Sequence, residues 1–327
     1  MKVKPANVAE LTDLLADACA KGTKVSSFDL SALNRVLDHK SEDMTATVEA
    51  GVILADLQKQ LAARGQWLPV DPPNSAQLGI GALLATNASG PRRFGFGTVR
   101  DYVIGIKAVL ADGRAIRSGG KVVKNVAGYD LMKLFIGSRG SLGVIVEATF
   151  KLRPLPEMER FIEARCSRAE DAEKLIETVL DSELMPAVLD LHNLSPATCH
   201  LALVLGFAGT REEVEWQLAK AAELGFTQPS SLGYDKALAT EATTIRKASV
   251  LPSKTVEFIR ALSGAPFVAR AGNGIIYHRG PPPGAPASLP ASLENATLAG
   301  RDAGAPRLAV RLKNEFDPKH ILPDLNP

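Results

Sequence analysis

The chain has 327 residues, of which 46% are hydrophobic and 23% are charged, and its formal net charge is +2. These values are ordinary for a globular protein that is long enough to form two domains. They argue against a nucleic-acid partner, and no apolar run approaches the length of a membrane span, so no transmembrane segment is expected.

The cysteines, Cys19, Cys166 and Cys199, lie far apart in the sequence and form no C-x-x-C pair. This spacing argues against both an iron–sulfur cluster and a structural zinc site. The first residues, MKVKPANVAELTDLL, are amphipathic and lack the apolar core of a signal peptide. We therefore expect a cytoplasmic protein, and peripheral attachment to the inner membrane through partner subunits stays open.

The first predicted element is a helix over residues 8–21, because its apolar residues recur on one helical face. Asn7 and Glu10 have the spacing of a capping box, and Gly22 is placed to end the helix. A half-buried strand is predicted over residues 45–50, because apolar and polar residues alternate there. A short helix follows, because the next apolar residues recur at helical spacing.

Residues 71–91 read DPPNSAQLGIGALLATNASGP and follow neither a helical nor an alternating period. The stretch carries few charges and places Gly79, Gly81 and Gly90 among small and hydroxyl-bearing residues. Such residues let a backbone come close to another group, and exposed N–H groups in such loops bind anions. This stretch alone indicates either a phosphate-binding loop or a buried packing loop.

A second glycine-rich stretch, residues 119–145, reads GGKVVKNVAGYDLMKLFIGSRGSLGVI. Its last part places Gly137, Gly140 and Gly143 directly before a strand-like apolar run. Two such loops in one half of a chain favour a single large ligand. Neither contains the G-x-G-x-x-G or G-x-x-x-x-G-K-[ST] pattern, so the Rossmann dinucleotide site and the P-loop are both unsupported.

The succession DPPNSAQLGIGALLATNASGPRRFGFGTVRDYVIG, ADGR and KVVKNVAGYDLMKLFIGSRGSLGVI resembles the FAD-binding domain of flavoproteins of the vanillyl-alcohol oxidase type. Within that superfamily it is most similar to the FAD-binding subunits of bacterial glycolate oxidases. The resemblance implies an α+β fold, with a two-subdomain, non-Rossmann FAD-binding domain over residues 1–155. An α+β cap domain over residues 156–327 would follow, and its tail FDPKHILPDLNP would return to the FAD-binding domain.

The resemblance also implies FAD as the cofactor, bound by residues of the two glycine-rich stretches. The cofactor-binding residues expected on this basis are Asp71, Pro72, Pro73, Asn74, Ser75, Ala76, Gln77, Gly79, Gly81, Ala85, Thr86, Asn87, Ala88, Gly90, Ser138, Gly140, Leu142, Gly143, Val144 and Ile145. Gly81 and Gly143 are expected to leave room for the ligand because they lack a side chain. No catalytic residue is assigned.

The region near residues 22–30 departs from the family pattern. In the family, a Gly-Gly-Gly-Thr-like turn that binds the pyrophosphate follows the first helix. Here the chain runs from Lys24 directly into SSFDLSALNRVLDH, as if that loop and its flanking strand were shortened. Backbone donors for the pyrophosphate would then be fewer, which predicts weaker FAD binding.

The second half departs from the pattern at ARAGNGIIYHRG, residues 269–280. Catalytic members of the superfamily have a His-x-Gly-Asp-Gly-Asn-like turn there, which supplies metal or substrate ligands. Matching the glycines places Arg270 at the histidine, Asn273 at the aspartate and Ile275 at the later asparagine. Because an arginine cannot coordinate a divalent ion, we expect no metal. His278 is interpreted as a structural histidine rather than as a base.

By resemblance, the expected function is that of an FAD-binding subunit in a glycolate oxidase-like complex, which oxidises 2-hydroxy acids such as glycolate to glyoxylate. The implied partners are a homologous FAD-linked catalytic subunit and an iron–sulfur subunit that receives the electrons. Two alternatives stay open: a non-catalytic structural subunit that has lost flavin binding, and a free-standing FAD-dependent 2-hydroxy-acid dehydrogenase.

Overall fold

The computed structural model describes residues 1–120, 131–194, 200–238, 245–279 and 305–324. The chain divides into two compact units. The first unit comprises Met1–Ser89, Gly97–Leu155 and Ala303–Pro327, and the second comprises Gly90–Phe96 and Pro156–Asp302.

The first unit contains a five-stranded antiparallel sheet with the strand order β3-β4-β8-β6-β7. Its strands are β3 (Val36–Lys40), β4 (Thr45–Glu49), β6 (Val103–Val109), β7 (Ala115–Gly119) and β8 (Val144–Lys151). Two short pairs accompany it: β1 (Lys2–Val3) parallel to β2 (Ser27–Phe28), and β5 (Gln66–Trp67) antiparallel to β9 (Arg153–Pro154). All five residues of β4 are buried, so this strand is covered on both faces.

The described ranges of the first unit also contain six helices. They are α1 (Val8–Lys21), α2 (Leu54–Ala62), α3 (Ile80–Thr86), α5 (Val99–Tyr102), α6 (Met132–Phe135) and α11 (Ala305–Phe316). In α1, the Asn7 side chain accepts a hydrogen bond from the Glu10 amide, and Gly22 ends the helix at φ +66°. The predicted start and end of this helix therefore agree with the observed ones.

The second unit contains a seven-stranded antiparallel sheet with the strand order β13-β10-β12-β11-β15-β16-β14. Its strands are β10 (Met158–Cys166), β11 (Val188–Asn193), β12 (Leu201–Gly209), β13 (Gln228–Pro229), β14 (Ile245–Ser249), β15 (Phe267–Arg270) and β16 (Ile275–Arg279). The helices are α4 (Arg93–Phe96), α7 (Ala169–Leu180), α8 (Arg211–Glu223), α9 (Gly233–Ala237) and α10 (Thr255–Ala261).

Alternation along β12 separates two faces of this sheet. Leu203 and Leu205 pack in the main core together with residues of α7, α8 and α10, whereas Val204 packs with Tyr234 of α9 on the opposite face. None of the helices in the described ranges is long and apolar enough to cross a membrane.

Candidate functional site

A cavity of about 730 Å³ opens on the first unit. This volume lies within the range of roughly 300–1,000 Å³ that is typical of small-molecule and cofactor sites. Its lining comes mainly from three segments that are far apart in the sequence, within residues 26–31, 77–86 and 138–145. The fold therefore brings parts of both glycine-rich stretches to one cavity.

The loop between α6 and β8 supplies backbone donors to this cavity. Gly137, Arg139 and Gly140 have φ values of +87°, +54° and +78°, so successive residues depart from helical and extended geometry. The amides of Gly140 and Gly143 have no hydrogen-bond acceptor among the described residues. Free N–H groups in a turn of this kind form a concave site that suits a phosphate oxygen.

Two hydroxyl groups hold this loop in shape. The Ser138 Oγ donates to the Phe135 carbonyl over 2.8 Å, and the Ser141 Oγ donates to the Ser138 carbonyl over 2.6 Å. Both serines are buried. These bonds satisfy local carbonyl groups, so the free amides are held in place before any ligand binds.

Gly81 and Gly143 pack against protein atoms, which corrects the expected reason for these glycines. A Cβ on Gly81 would lie 2.9 Å from the Ala50 Cβ, and one on Gly143 would lie 2.9 Å from Phe135 Cε1. Gly140 differs, because its Cβ would meet only Phe28 Cε2, at 3.8 Å. Gly81 and Gly143 are therefore glycines because a side chain would collide with neighbouring protein atoms. At Gly140, glycine is favoured by the left-handed backbone conformation of the loop.

Half of the expected cofactor-binding residues line the cavity: Gln77, Gly79, Gly81, Ala85, Thr86, Ser138, Gly140, Gly143, Val144 and Ile145. The others are not part of its lining: Asp71, Pro72, Pro73, Asn74, Ser75, Ala76, Asn87, Ala88, Gly90 and Leu142. Leu142 instead packs in the core, and Gly90 belongs to the second unit. Residues 121–130 and 325–327, which carry parts of the quoted motifs, lie outside the described residues.

Sequence reasoning did not find several residues of the cavity. The lining that was not predicted consists of Lys2, Ser26, Ser27, Phe28, Asp29, Leu30, Ser31, Ala50, Gly51, Ile53, Ala82, Phe135, Arg139 and Pro323. The hydroxyl groups clustered in SSFDLS, residues 26–31, were an available signal. This shortened segment forms β2 and the turn after it, and it borders the cavity directly.

The charged groups of the lining are Lys2, Asp29 and Arg139. The Arg139 side chain has no ion-pair partner within the described part of the chain. Hydrogen bonds from Ser31 lower the pKa of Asp29 to about 2, and Lys4 lies 3.2 Å from its carboxylate. The loop side of the cavity thus favours an anion, whereas Asp29 adds a negative charge on the side of residues 26–31.

The residues present fit FAD at the loop of residues 137–143, because free amides, an unpaired arginine and adequate volume coincide there. Among the described residues that line the cavity there is no histidine. The lining therefore offers hydrogen bonds and charges that can bind a ligand. Among its described residues, the carboxylate of Asp29 is the only candidate general base.

In the second unit, Arg270 is an internal ion-pair residue. It is 2% exposed and donates hydrogen bonds to the carboxylates of Asp190 and Asp235. The Tyr234 hydroxyl donates to the same Asp190 carboxylate over 2.7 Å. Burial alone would lower the pKa of Arg270, but the two carboxylates raise it. The guanidinium therefore stays charged, and the neighbouring carboxylates balance its charge.

No group of three or more histidine, cysteine, aspartate or glutamate residues in the described ranges could hold a metal ion. His278 is buried, its Nδ1 lies 3.0 Å from the Arg279 carbonyl, and its ring packs edge-on against Phe258. Burial lowers the pKa of His278, which favours the neutral ring of a core residue.

His192 gives the second unit an expected sensitivity to acid. Its ring stacks on Tyr234 at 4.5 Å, and burial lowers the pKa of His192 to about 4, against a smaller opposing effect of Glu163. The folded pKa lies below the unfolded value of about 6.5, so stability is complete above pH 6.5 and is lost as the pH falls toward 4. We expect a loss of about 2–3 kcal/mol between pH 7.5 and 4.5 from this residue.

Urea unfolding of the parent and of His192→Phe at both pH values measures this contribution, since phenylalanine keeps the stacked ring and does not titrate. The parent should lose about 2–3 kcal/mol more than the variant. An equal loss in both proteins would show that His192 is protonated as readily in the folded chain as in the unfolded chain.

The family described as "FAD binding domain" matches residues 12–119. The glycolate oxidase subunit GlcD of Bacillus subtilis is 39% identical over 158 residues, which are 48% of this chain and 34% of the relative. The subunit GlcE of Escherichia coli is 33% identical over 152 residues, 46% of this chain and 43% of the relative. The probable mitochondrial D-lactate dehydrogenase of Danio rerio is 34% identical over 214 residues, 60% of this chain and 42% of the relative.

The chain thus spans less than half the length of each of these relatives. Among solved structures, an alkyldihydroxyacetonephosphate synthase superposes with a TM-score of 0.72 at 16% identity, covering 98% of this chain and 76% of that chain. This likeness confirms the predicted α+β fold class. Residues 12–119 of this chain therefore match the family described as FAD binding domain, and the chain shares its fold with the solved synthase.

Proposed function

We propose that this chain is the FAD-binding subunit of a complex that oxidises 2-hydroxy acids, of the kind that converts glycolate to glyoxylate. The observation that carries the proposal is the cavity of about 730 Å³ that joins the two glycine-rich stretches. The relatives include glycolate oxidase subunits and a probable D-lactate dehydrogenase, which supports a 2-hydroxy acid as the substrate.

In this proposal the amides of Gly140 and Gly143 bind phosphate oxygens of the cofactor, and Arg139 adds a positive charge beside them. Gly79 and Gly81 let α3 lie close to Ala50, which also lines the cavity. When bound, FAD supplies the hydride acceptor for the hydroxyl-bearing carbon of the substrate. The chain's own residues bind and orient the cofactor.

The cavity lining favours an accessory role in the chemistry. It has no histidine in the described part, and its one carboxylate, Asp29, has a pKa held at about 2 by hydrogen bonds from Ser31. A group with that pKa is a poor general base near neutral pH. We therefore propose that turnover requires partner subunits: a homologous FAD-linked catalytic subunit and an iron–sulfur subunit that accepts the electrons.

A second candidate function is a structural subunit that has lost the flavin. The ionised Asp29 at the cavity and the shortened region near residues 22–30 favour it, because both weaken the binding of a pyrophosphate. A free-standing dehydrogenase is the third candidate, and the absence of a suitable base in the described cavity lining weighs against it.

A visible absorption spectrum of the purified chain, alone and co-purified with its two partner subunits, tests the proposal. We expect little flavin in the isolated chain and a near-stoichiometric amount in the complex, together with dye-linked oxidation of glycolate by the complex alone. If neither preparation of this chain contains flavin of its own, the structural-subunit function is correct.

Replacing Gly140 with alanine tests whether the loop of residues 137–143 binds FAD in this chain, separately from its effect on stability. The left-handed φ of +78° should cost about 1–2 kcal/mol of stability, and displaced amides at residues 140 and 143 should weaken FAD binding about tenfold or more. Gly65→Ala is the matched control, because Gly65 has φ +67°, free space for a Cβ and no place in the cavity lining.

Thermal unfolding and FAD titration of both variants provide the measurements. Both should be destabilised by similar amounts, and only Gly140→Ala should release flavin from this chain in the complex. Equal FAD affinity in the two variants would remove residues 137–143 from the binding site.

A further inference from the structure

Lys313 of α11 is a buried cation with an unusual number of acceptors. It is 4% exposed, and its Nζ donates to the Asp317 carboxylate over 2.7 Å and to the backbone carbonyls of Ser141, Pro323 and Leu322 over 3.0, 3.0 and 3.2 Å. A buried ammonium group is tolerated only when it is paired and hydrogen-bonded. This set of contacts satisfies that requirement.

Asp317 completes the arrangement by folding the chain back after α11. Its carboxylate is fully buried and accepts hydrogen bonds from the amides of Ile321 and Leu322 over 3.0 and 2.9 Å. Lys313, Asp317 and residues 321–323 therefore form one compact unit of structure, which we call the C-terminal clasp.

The C-terminal clasp contacts both sides of the cavity. On one side, Lys313 holds the carbonyl of Ser141, in the middle of the loop of residues 137–143. On the other side, the Ile321 carbonyl accepts a hydrogen bond from the Val25 amide over 2.7 Å, directly before the lining residues 26–31. Pro323 itself belongs to the cavity lining.

The end of α11 makes a further contact with the lining. The Phe316 ring packs edge-on against Phe135, with 5.5 Å between ring centroids, and Phe135 borders the cavity. Segments near residues 25, 135, 141 and 323 thus meet at the clasp. A loop that is ordered before its ligand arrives binds more tightly, because the ordering entropy is not lost on binding.

We propose that Lys313 is a positioning residue for the cofactor: through Ser141 and the tail it holds the loop of residues 137–143 in its FAD-binding conformation. The inference rests on the proposed function as an FAD-binding subunit. It gives the C-terminal clasp a role beyond packing. Lys313 would set the geometry of a loop that contains Ser141, which lies 172 residues earlier in the chain.

The test compares Lys313→Met with Arg311→Met. Both positions lie on α11, and methionine, lysine and arginine have similar helix propensities, but Arg311 is exposed. Lys313→Met should raise the Kd for FAD about tenfold or more, whereas Arg311→Met should leave it unchanged. Titration of the full chain with FAD, followed by fluorescence quenching, gives both constants.

A double variant, Lys313→Met with Asp317→Asn, separates positioning from stability. The asparagine removes the uncompensated buried charge and can keep one of the two hydrogen bonds from the amides of Ile321 and Leu322, which donate to different oxygens of Asp317. We expect this variant to recover part of the thermal stability lost in Lys313→Met but to keep the weakened FAD binding. Recovery of FAD affinity together with stability would overturn the proposal.

Hydrogen exchange of the chain without FAD measures the order of the loop of residues 137–143 independently of flavin binding. In both Lys313 variants, the hydrogen-bonded amides of this loop should exchange faster than in the parent, while α2 stays protected. These amides are those of Gly137, Ser138, Arg139 and Ser141. Unchanged exchange in this loop would overturn the inference. If the parent binds no FAD in any assembly, the proposed function fails, and the exchange data still decide whether the clasp orders the loop.

Discussion

Replacing Arg270 with methionine is expected to lower the free energy of unfolding of the second unit by about 3–5 kcal/mol. The guanidinium is almost fully buried between Asp190 and Asp235, and Asp190 is itself 0% exposed. Without Arg270, the Asp190 carboxylate would keep only the hydrogen bond from Tyr234 to its Oδ2, since its Oδ1 has no hydrogen-bond partner among the described residues. A buried charge left without its counterion is the cause of the expected loss.

The fluorescence of Trp216 in α8 can follow this unfolding in a Trp67→Phe background, because the chain has 2 tryptophans and Trp67 lies in the first unit. Arg165→Met is the matched control: it removes an exposed arginine from its ion pair with Glu163 on β10. That change should alter stability by less than about 1 kcal/mol.

The pH dependence and a double variant identify the cause of the loss. Burial raises the pKa of Asp190, and Arg270 opposes that rise, so removing Arg270 should raise the pKa further. The variant should therefore regain stability relative to the parent as the pH falls and Asp190 becomes neutral. Arg270→Met with Asp190→Asn should recover most of the loss at neutral pH. Unfolding of Arg270→Met at the parent's urea concentration would show that the ion pairs contribute nothing.

Local sequence signals predicted the first helix and the strand over residues 45–50, but not α3 (Ile80–Thr86), which lies within the stretch that showed no helical period. The bounds of α1 could be predicted because Asn7, Glu10 and Gly22 satisfy the helix ends within a few residues of chain. The strand over residues 45–50 could be predicted because its alternation is local as well, although the observed β4 is buried on both faces. Such signals do not depend on which segments meet later in the fold.

The complete cavity could not be predicted from local signals. Pro323, which belongs to the C-terminal clasp, lines the cavity together with residues 26–31, and the clasp is separated from residues 26–31 and from Ser141 by more than a hundred residues of chain. The partners of Arg270 were hidden for the same reason, since Asp190 lies 80 residues earlier. Gly81 shows a different limit: composition identified a close approach, but only the structure shows that Ala50 is the group approached.

The segment that follows α1 determines how tightly the chain should hold FAD. Inserting a Gly-Gly-Gly-Thr loop between Val25 and Ser26, with residues that extend the flanking strand, is expected to tighten FAD binding about a hundredfold or more. Hydrogen bonds from backbone amides to a charged phosphate contribute roughly 1.5–3 kcal/mol each, and two of them correspond to at least that factor. The site of insertion borders the cavity through Ser26 and Ser27 and keeps the Val25 bond to the C-terminal clasp.

The matched control is an insertion of the same length with Pro in place of two glycines, because proline has no N–H to donate. FAD titration by fluorescence quenching should show tight binding for the glycine loop and little gain for the proline loop. Adding Asp29→Asn to the parent should give a smaller gain, since it removes a negative charge from the lining without adding donors. If the parent already binds FAD as tightly as the chain with the glycine loop, residues 26–31 and 137–143 suffice for the pyrophosphate. The isolated chain would then hold its flavin without partners, and its dependence on a complex would concern turnover alone.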